Sequence, residues 1–241
     1  MSNLAVQTEK LEKRFGAFQA VKNLNLAVRR GEIFGFLGAN GAGKTTAIRM
    51  LCGLLLPSAG GGTVAGFDIW KENEKIKRVI GYMSQKFSLY NDLTLSQNIE
   101  FYGGVYGLNR PALNTRRRQL LSELELTEQA DRLTRAMPLG YKQRLALGCA
   151  LLHDPEIIFL DEPTGGVDPE ARRNFWDLIY RLADTGKTIF VTTHYMDEAE
   201  YCHRVSIMYE GEITALDTPQ ALKSKYQKQT MQEVFIHLVD R

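Results

Sequence analysis

Residues 38–45, which read GANGAGKT, constrain this chain more than any other part of its sequence. They fit the pattern G-x-x-x-x-G-K-[ST] without a mismatch. Such a loop follows a strand and opens a helix, and the sequence predicts both, over 32–37 and 44–53. The alternative is a chance match, which average glycine usage would produce in on the order of one chain in a hundred. The flanking strand and helix favour the functional interpretation.

The residue types in this segment suit the binding of phosphate. Glycines let the backbone wrap around phosphate oxygens, so that N–H groups and the positive end of the next helix point at them. We expect Lys44 to bridge the terminal phosphates, Thr45 to ligate Mg²⁺ and Thr46 to donate to the first phosphate. The predicted phosphate contacts are Gly38, Ala39, Asn40, Gly41, Ala42, Gly43, Lys44, Thr45 and Thr46.

Two acidic residues end the apolar run 157–160, which predicts a buried strand. Charges at the end of such a strand need a reason. With a phosphate loop upstream, we expect Asp161 to hold Mg²⁺ and Glu162 to polarise the attacking water. His194 closes a second apolar strand, where a parallel sheet presents its ligand groups, and can hydrogen-bond a γ-phosphate. Taken alone, the acids also fit a strand meeting solvent, and His194 an ordinary surface histidine.

Strands and helices alternate along the chain, which predicts a mostly parallel sheet with helices on its faces. Thr94 with Gln97 forms a capping box before a helix, and Asp168 with Pro169 begins another that Gly186 ends. The other predicted strands cover 20–29, 60–69, 78–84, 188–193 and 204–208, with a helix near 197–202. The predicted fold is one α/β domain over 1–241, with a helical subdomain over 88–153.

Composition places the chain among ordinary globular proteins. Its net charge of +2 over 241 residues gives no case for a nucleic-acid partner. No apolar run reaches the ~20 residues of a membrane-spanning helix, and the first residues lack a signal-peptide core. Cys52, Cys149 and Cys202 are expected to be free buried thiols in a reducing compartment.

Together these segments resemble the nucleotide-binding subunits of ATP-binding-cassette (ABC) transporters, over nearly the whole chain. The resemblance implies a P-loop NTPase with a RecA-like core, an antiparallel β subdomain and a helical subdomain. It makes Glu162 the catalytic glutamate and His194 the switch histidine. Gln85, in GYMSQ, matches the glutamine that contacts Mg²⁺ and senses the membrane partner, Asp168 matches the D-loop aspartate, and Phe15 matches the aromatic that stacks on adenine.

The stretch 191–205 and the terminal MQEVFIHL resemble the branch of multidrug and related exporters. This implies ATP and Mg²⁺ as cofactors, a second cassette and a membrane permease as partners, and a peripheral position on the cytoplasmic face of the membrane. The permease is expected to dock in a groove near Gln85. The candidate groove residues are Phe87, Leu89, Tyr90, Phe101 and Tyr102, of which Phe101 and Tyr102 are alternatively interpreted as subdomain core.

One motif departs from the family pattern. The L-S-G-G-Q signature, which reaches the ATP on the opposing subunit, is replaced by residues 137–141, MPLGY. Pro138 stands at the serine position and offers neither a hydroxyl nor an N–H. Leu139 and Gly140 still offer N–H groups at the start of a helix. We therefore expect either two weakened sites in a homodimer or one good and one poor half-site in a heterodimer.

Three alternatives stay open at this point, two on function and one on the extent of the chain. A non-transport ABC ATPase acting on DNA or ribosomes is disfavoured, because no long coiled-coil insertion or charged linker is present. A nucleotide-dependent scaffold with little turnover would suit Pro138 but not an intact Glu162. The chain is alternatively one cassette cut from a longer protein.

Overall fold

Two β-sheets organise the computed structural model, which describes residues 3–239. The smaller sheet has the strand order β2-β1-β4-β5 and is antiparallel. Its strands are β1 (Leu4–Phe15), β2 (Phe18–Arg29), β4 (Ala59–Val64) and β5 (Phe67–Asp68). The larger sheet has the order β10-β9-β3-β8-β7-β6, and only its edge strand β10 is antiparallel. Its strands are β3 (Ile33–Leu37), β6 (Ile80–Met83), β7 (Ile157–Asp161), β8 (Thr188–Thr193), β9 (Arg204–Tyr209) and β10 (Glu212–Asp217).

Eight α-helices lie within the described residues 3–239. They are α1 (Lys44–Leu51), α2 (Asn73–Val79), α3 (Leu95–Val105), α4 (Arg110–Glu123), α5 (Leu139–Ala150), α6 (Pro169–Asp184), α7 (Pro219–Tyr226) and α8 (Met231–Val239). Short 3₁₀ helices cover Thr127–Gln129, Thr134–Ala136 and Met196–Tyr201. Within the described residues 3–239, no helix combines the length and apolar character needed to cross a membrane.

The larger sheet separates two apolar cores. All residues of β3, β7 and β8 are buried, as expected for parallel strands covered on both faces. Because side chains alternate along a strand, Phe34, Phe159 and Phe190 face the core shared with α1 and the antiparallel sheet, and the Phe159 and Phe190 rings stack with centroids 4.7 Å apart. The opposite face packs against α5 and α6, and Phe175 and Trp176 of α6 lie in this second core.

The predicted fold class is confirmed, as are the two predicted helix starts. Thr94 accepts from the Gln97 backbone N–H and Gln97 reaches back to the Thr94 N–H, which completes a capping box. Asp168 accepts a hydrogen bond from the backbone N–H of Ala171, with Pro169 as the first residue of α6. The C-terminal helix that MQEVFIHL predicts is α8. The three cysteines are free and buried.

Some predicted boundaries are wrong. The predicted strand over 60–69 is two strands, because Ala65 and Gly66 have positive φ and turn the chain back. The predicted strand over 78–84 begins later, at Ile80, since α2 runs through Val79. The predicted helix near 197–202 is the 3₁₀ helix Met196–Tyr201. The edge strand β10 was not predicted from the sequence.

Candidate nucleotide-binding site

The phosphate loop, residues 38–45, connects the carboxyl end of β3 to α1. Its ends require glycine. At Gly38 an added Cβ would lie 2.4 Å from the Met208 carbonyl oxygen, and at Gly43 one would lie 2.6 Å from the Ala20 carbonyl oxygen. Both glycines have positive φ, and Gly43 caps α1 in the left-handed region. The backbone therefore turns tightly against β9 and β2 and aims the start of α1 at the space above the sheet.

Lys44 brings a positive charge into this loop. Its side chain is 4% exposed, and its Nζ donates to the carbonyl oxygens of Gly38 at 2.7 Å and Ala39 at 3.1 Å. Burial lowers the pKa of Lys44, and the carboxylates of Glu162 and Asp161 oppose that shift. The Lys44 Nζ lies 3.6 Å from Glu162 Oε1. A buried cation held by carbonyls and one carboxylate is suited to the binding of an anion.

Asp161, at the end of β7, is 1% exposed and lies within a cluster of hydroxyl groups. Its Oδ1 accepts from Thr192 Oγ1 at 2.7 Å and from Thr45 Oγ1 at 3.1 Å, and its Oδ2 lies 3.5 Å from the Tyr82 hydroxyl. Burial and the charge of Asp161 raise the pKa of Tyr82 to about 12. The predicted metal ligands Thr45 and Asp161 are thus adjacent, and both offer the oxygen donors that Mg²⁺ prefers.

Several of the predicted site residues meet at Glu162. Its Oε2 accepts from Gln85 Nε2 at 2.8 Å and lies 3.3 Å from His194 Nδ1. Its backbone N–H donates to Thr192 Oγ1 at 2.8 Å, and its φ of 50° lies in the left-handed region. Since that conformation is unfavourable for a residue with a side chain, the surrounding contacts must hold it, as is common at functional sites.

A cavity of about 440 Å³ opens over these groups. Its lining includes one residue from each of five predicted motifs, Asn40, Gln85, Leu139, Glu162 and His194. Other predicted site residues do not line this cavity. Phe15 is 50% exposed at the end of the β1–β2 hairpin, with Lys13 Nζ 5.2 Å from its ring centroid, and Asp168 lies at the start of α6. Pro138 caps α5 without a side-chain hydrogen bond.

Sequence reasoning missed three residues of this site. Thr192 contacts both acids, Tyr82 lies beside Asp161, and Tyr195 lines the cavity next to His194. The signal for Thr192 was the threonine pair that ends the apolar run of β8. The contact of Thr192 with Asp161 depends on the pairing of these two residues across β7 and β8, and the sequence alone does not indicate that pairing.

No cluster of three or more His, Cys, Asp or Glu side chains able to hold a metal ion occurs in the described part of the chain. The metal ligands available in this site are single oxygens from different strands and loops, which suits Mg²⁺ held jointly with a nucleotide. The fold and the phosphate loop together define a P-loop nucleotide-binding protein.

Comparison with known proteins defines the family. The ABC transporter family profile matches residues 21–165. The chain is 47% identical over 239 residues to the probable multidrug ABC transporter ATP-binding protein YbhF of Escherichia coli, covering 97% of this chain and 41% of that relative. It is 39% identical to the linearmycin resistance ATP-binding protein LnrL of Bacillus subtilis, covering 91% of this chain and 71% of that relative.

A solved structure of an ATP-binding cassette, described as dimeric and bound to ADP and phosphate after hydrolysis, superimposes with a TM-score of 0.79. It is 25% identical and covers 88% of this chain and 98% of the solved chain. This chain therefore belongs to the ABC transporter family. It spans less than half the length of the E. coli relative.

The first prediction concerns Thr192, which supports both acids. Thr192→Val keeps the side-chain shape but removes the donor to Asp161 and the acceptor for the Glu162 N–H. Leaving such buried groups without a partner costs about 1–3 kcal/mol. We expect the free energy of unfolding, measured by urea denaturation, to fall by that amount. Thr192→Ser keeps the hydroxyl and serves as the matched control. Equal losses of unfolding free energy in Thr192→Val and Thr192→Ser would show that the Thr192 hydroxyl does not stabilise the fold.

Proposed function

We propose that this chain binds ATP with Mg²⁺ and hydrolyses the ATP to power export through a membrane permease. The observation that carries the proposal is the convergence of Lys44, Gln85 and His194 on Glu162, directly beside the phosphate loop. A buried cation, a carboxylate and two polar side chains at one point are the groups that phosphoryl transfer to water requires.

In this proposal the phosphate loop binds the triphosphate. Its backbone N–H groups and the start of α1 hold the phosphate oxygens, Lys44 contacts the terminal phosphates, and Thr46 donates to the first phosphate. Phe15 stacks on the adenine, for which its half-exposed ring is suited. The proposed nucleotide contacts on this subunit are Phe15, Gly38, Ala39, Asn40, Gly41, Ala42, Gly43, Lys44, Thr45, Thr46 and Asp161.

Thr45, Asp161 and Gln85 would hold Mg²⁺. Their fit is supported by the 3.1 Å contact between the Thr45 hydroxyl and the Asp161 carboxylate, which brings two oxygen donors together. When bound, Mg²⁺ supplies positive charge that offsets the charge on the phosphates.

Glu162 is the proposed general base. Its carboxylate is anchored by Gln85 and lies next to His194, so it is oriented before water arrives. The water gives up a proton toward Glu162 as its oxygen bonds to the γ-phosphorus, and the bond from that phosphorus to the β–γ bridging oxygen breaks, so that ADP leaves. His194 hydrogen-bonds the γ-phosphate and contributes to holding it in line.

A second cassette completes the site. Pro138, Leu139, Gly140 and Asp168 are proposed to face the ATP held by the opposing copy, in a head-to-tail pair. Leu139 is 40% exposed and Gly140, in the first turn of α5, is partly exposed, so both are accessible to a partner. The dimeric solved relative supports such a pairing. ATP closes the pair and hydrolysis reopens it.

The permease is proposed to dock in a groove of about 530 Å³ near Gln85. Its lining includes Phe87, Leu89 and Tyr102, and Tyr90 and Phe101 stand exposed beside Tyr102. The interpretation of Phe101 as subdomain core is wrong, because its side chain is 42% exposed. Apolar and aromatic surface of this kind suits a protein partner. The chain would then lie peripherally on the cytoplasmic face of the membrane.

The transported compounds are proposed to be drugs or other amphipathic molecules. This rests on the names of the relatives, a probable multidrug transporter protein and a linearmycin resistance protein. We also propose that residues 1–241 form one cassette with residues 88–153 as its helical subdomain. Residues 1, 2, 240 and 241 of that range lie outside the described residues.

A low-turnover scaffold is the second candidate function. It is favoured by one observation, that Pro138 is the N-cap residue of α5 and makes no side-chain hydrogen bond there. The serine of the family signature would offer a hydroxyl to the opposing ATP at this position.

The second prediction tests hydrolysis. Glu162→Gln keeps the size of the side chain but removes the base, so phosphate release from ATP should fall about 10²-fold or more. Binding of a fluorescent ATP analogue should persist. Glu170→Gln, on the exposed first turn of α6, is the matched control and should behave like the unaltered chain. No phosphate release by the unaltered chain, or equal rates with Glu162→Gln, would contradict the proposed activity.

The third prediction concerns Pro138. Pro138→Ser restores a hydroxyl to the signature position, where a hydrogen bond to a charged acceptor contributes about 1.5–3 kcal/mol. Steady-state ATP turnover should therefore rise by roughly tenfold to a hundredfold. Pro138→Ala restores only the backbone N–H, so it separates the effect of the N–H from the effect of the hydroxyl. If the Ser variant turns over no faster than the Ala variant, the hydroxyl is not what limits closure.

A further inference from the structure

A buried carboxylate outside the catalytic cavity joins two segments of the site. Glu198 lies in the 3₁₀ helix that follows His194, and its side chain is 0% exposed. Its Oε1 accepts a hydrogen bond from Thr164 Oγ1 at 2.6 Å and lies 3.6 Å from Arg172 Nε. Thr164 begins the loop 164–168 that leads to Asp168, and Arg172 lies in the first turn of α6. The contact with Arg172 is an ion pair without a hydrogen bond, since neither Arg172 Nε nor Glu198 Oε2 has a hydrogen-bond partner.

Arg172 extends this network into the catalytic cavity. Its guanidinium carbon lies 4.1 Å from the centroid of the Tyr195 ring, a cation–π contact. The Tyr195 ring centroid in turn lies 4.2 Å from that of His194, with 36° between the ring planes. The contacts therefore run from Glu198 through Arg172 and Tyr195 to His194, whose Nδ1 is 3.3 Å from Glu162.

The position of the His194 ring needs such a support. The ring is 34% exposed, which leaves open space on part of its surface. A small rotation would move its nitrogen away from Glu162 and from the γ-phosphate. Tyr195 occupies one side of the ring, and Arg172 fixes Tyr195 from a different element of the fold.

We propose that Tyr195 and Arg172 are positioning residues that hold the His194 imidazole in place and make its position depend on the loop 164–168. The inference rests on the proposed function, because it assigns His194 a role in ATP hydrolysis. Glu198 connects the loop to Arg172, since it accepts a hydrogen bond from Thr164 of the loop and forms an ion pair with Arg172. A shift of the loop on docking of a second cassette would then reach His194 through three side chains.

Tyr195 is suited to a functional test because it is only partly buried and lines the catalytic cavity. Tyr195→Ala should lower kcat for ATP by roughly tenfold to a hundredfold with little change in KM, because a misplaced group slows the chemical step. Tyr195→Phe keeps the ring and should stay near the unaltered rate.

A double-mutant cycle separates positioning from a general structural effect. In a His194→Ala background, measured as single turnover with excess protein, Tyr195→Ala should cause no further loss. Equal fold losses in both backgrounds would overturn the inference. No turnover by the unaltered chain would overturn the proposed function and this inference with it, whereas normal turnover with an unaffected Tyr195→Ala variant would overturn this inference alone.

A spectroscopic measurement gives an independent test that needs no turnover. In Arg172→Met the Tyr195 ring remains, so a change in the NMR chemical shift of the His194 ring Cε1–H reports a change in ring placement. We expect that signal to move in Arg172→Met and to stay in Arg173→Met, the exposed neighbour used as a control. An unmoved His194 signal in a folded Arg172→Met protein would overturn the role of Arg172. If Arg172→Met does not fold, the Tyr195 cycle decides the question.

Discussion

The structure depends on the parallel register of β3, β7 and β8, which brings the carboxyl ends of these strands to one edge of the sheet. The phosphate loop leaves β3 there, Asp161 ends β7 and Thr192 lies near the end of β8. Because Asp161 pairs directly with Thr192, one hydroxyl reaches both the Asp161 carboxylate and the Glu162 N–H. Phe159 of β7 and Phe190 of β8 are paired across the two strands, and their rings stack in the core below.

Electrostatics at this edge is arranged around one buried cation, Lys44, and two carboxylates, Asp161 and Glu162. Lys44 is held inside the loop, with its Nζ 3.6 Å from Glu162 Oε1. The Glu162 carboxylate also accepts a hydrogen bond from Gln85 and lies next to His194. Water solvates the Lys44 and Glu162 side chains only in part, since both are at most 10% exposed. A bound triphosphate would therefore meet a preformed positive loop and a preoriented base, so little rearrangement is needed before the chemical step.

Local features of the fold were predictable from the sequence, and features that depend on contacts between distant segments were not. The capping box at Thr94, the start of α6 at Asp168 and the glycines of the phosphate loop act within a few residues, so their signals lie in the sequence itself. The support of Asp161 by Thr192 depends on which strands are neighbours and in which register. The contact of Arg172 with Tyr195 joins a helix to a loop, and nothing near either residue indicates it. The exposure of Phe101 likewise depends on which face of α3 meets the core.

The most direct test of the central claim is the mass of the Glu162→Gln protein in solution, measured by light scattering with and without ATP and Mg²⁺. This change removes the base and leaves the nucleotide contacts in place, so ATP should remain bound between two copies. We predict a shift to twice the monomer mass of 27.2 kDa only when ATP and Mg²⁺ are both present. A protein that binds ATP and stays monomeric would contradict the head-to-tail homodimer, and a protein that does not bind ATP would contradict the account as a whole.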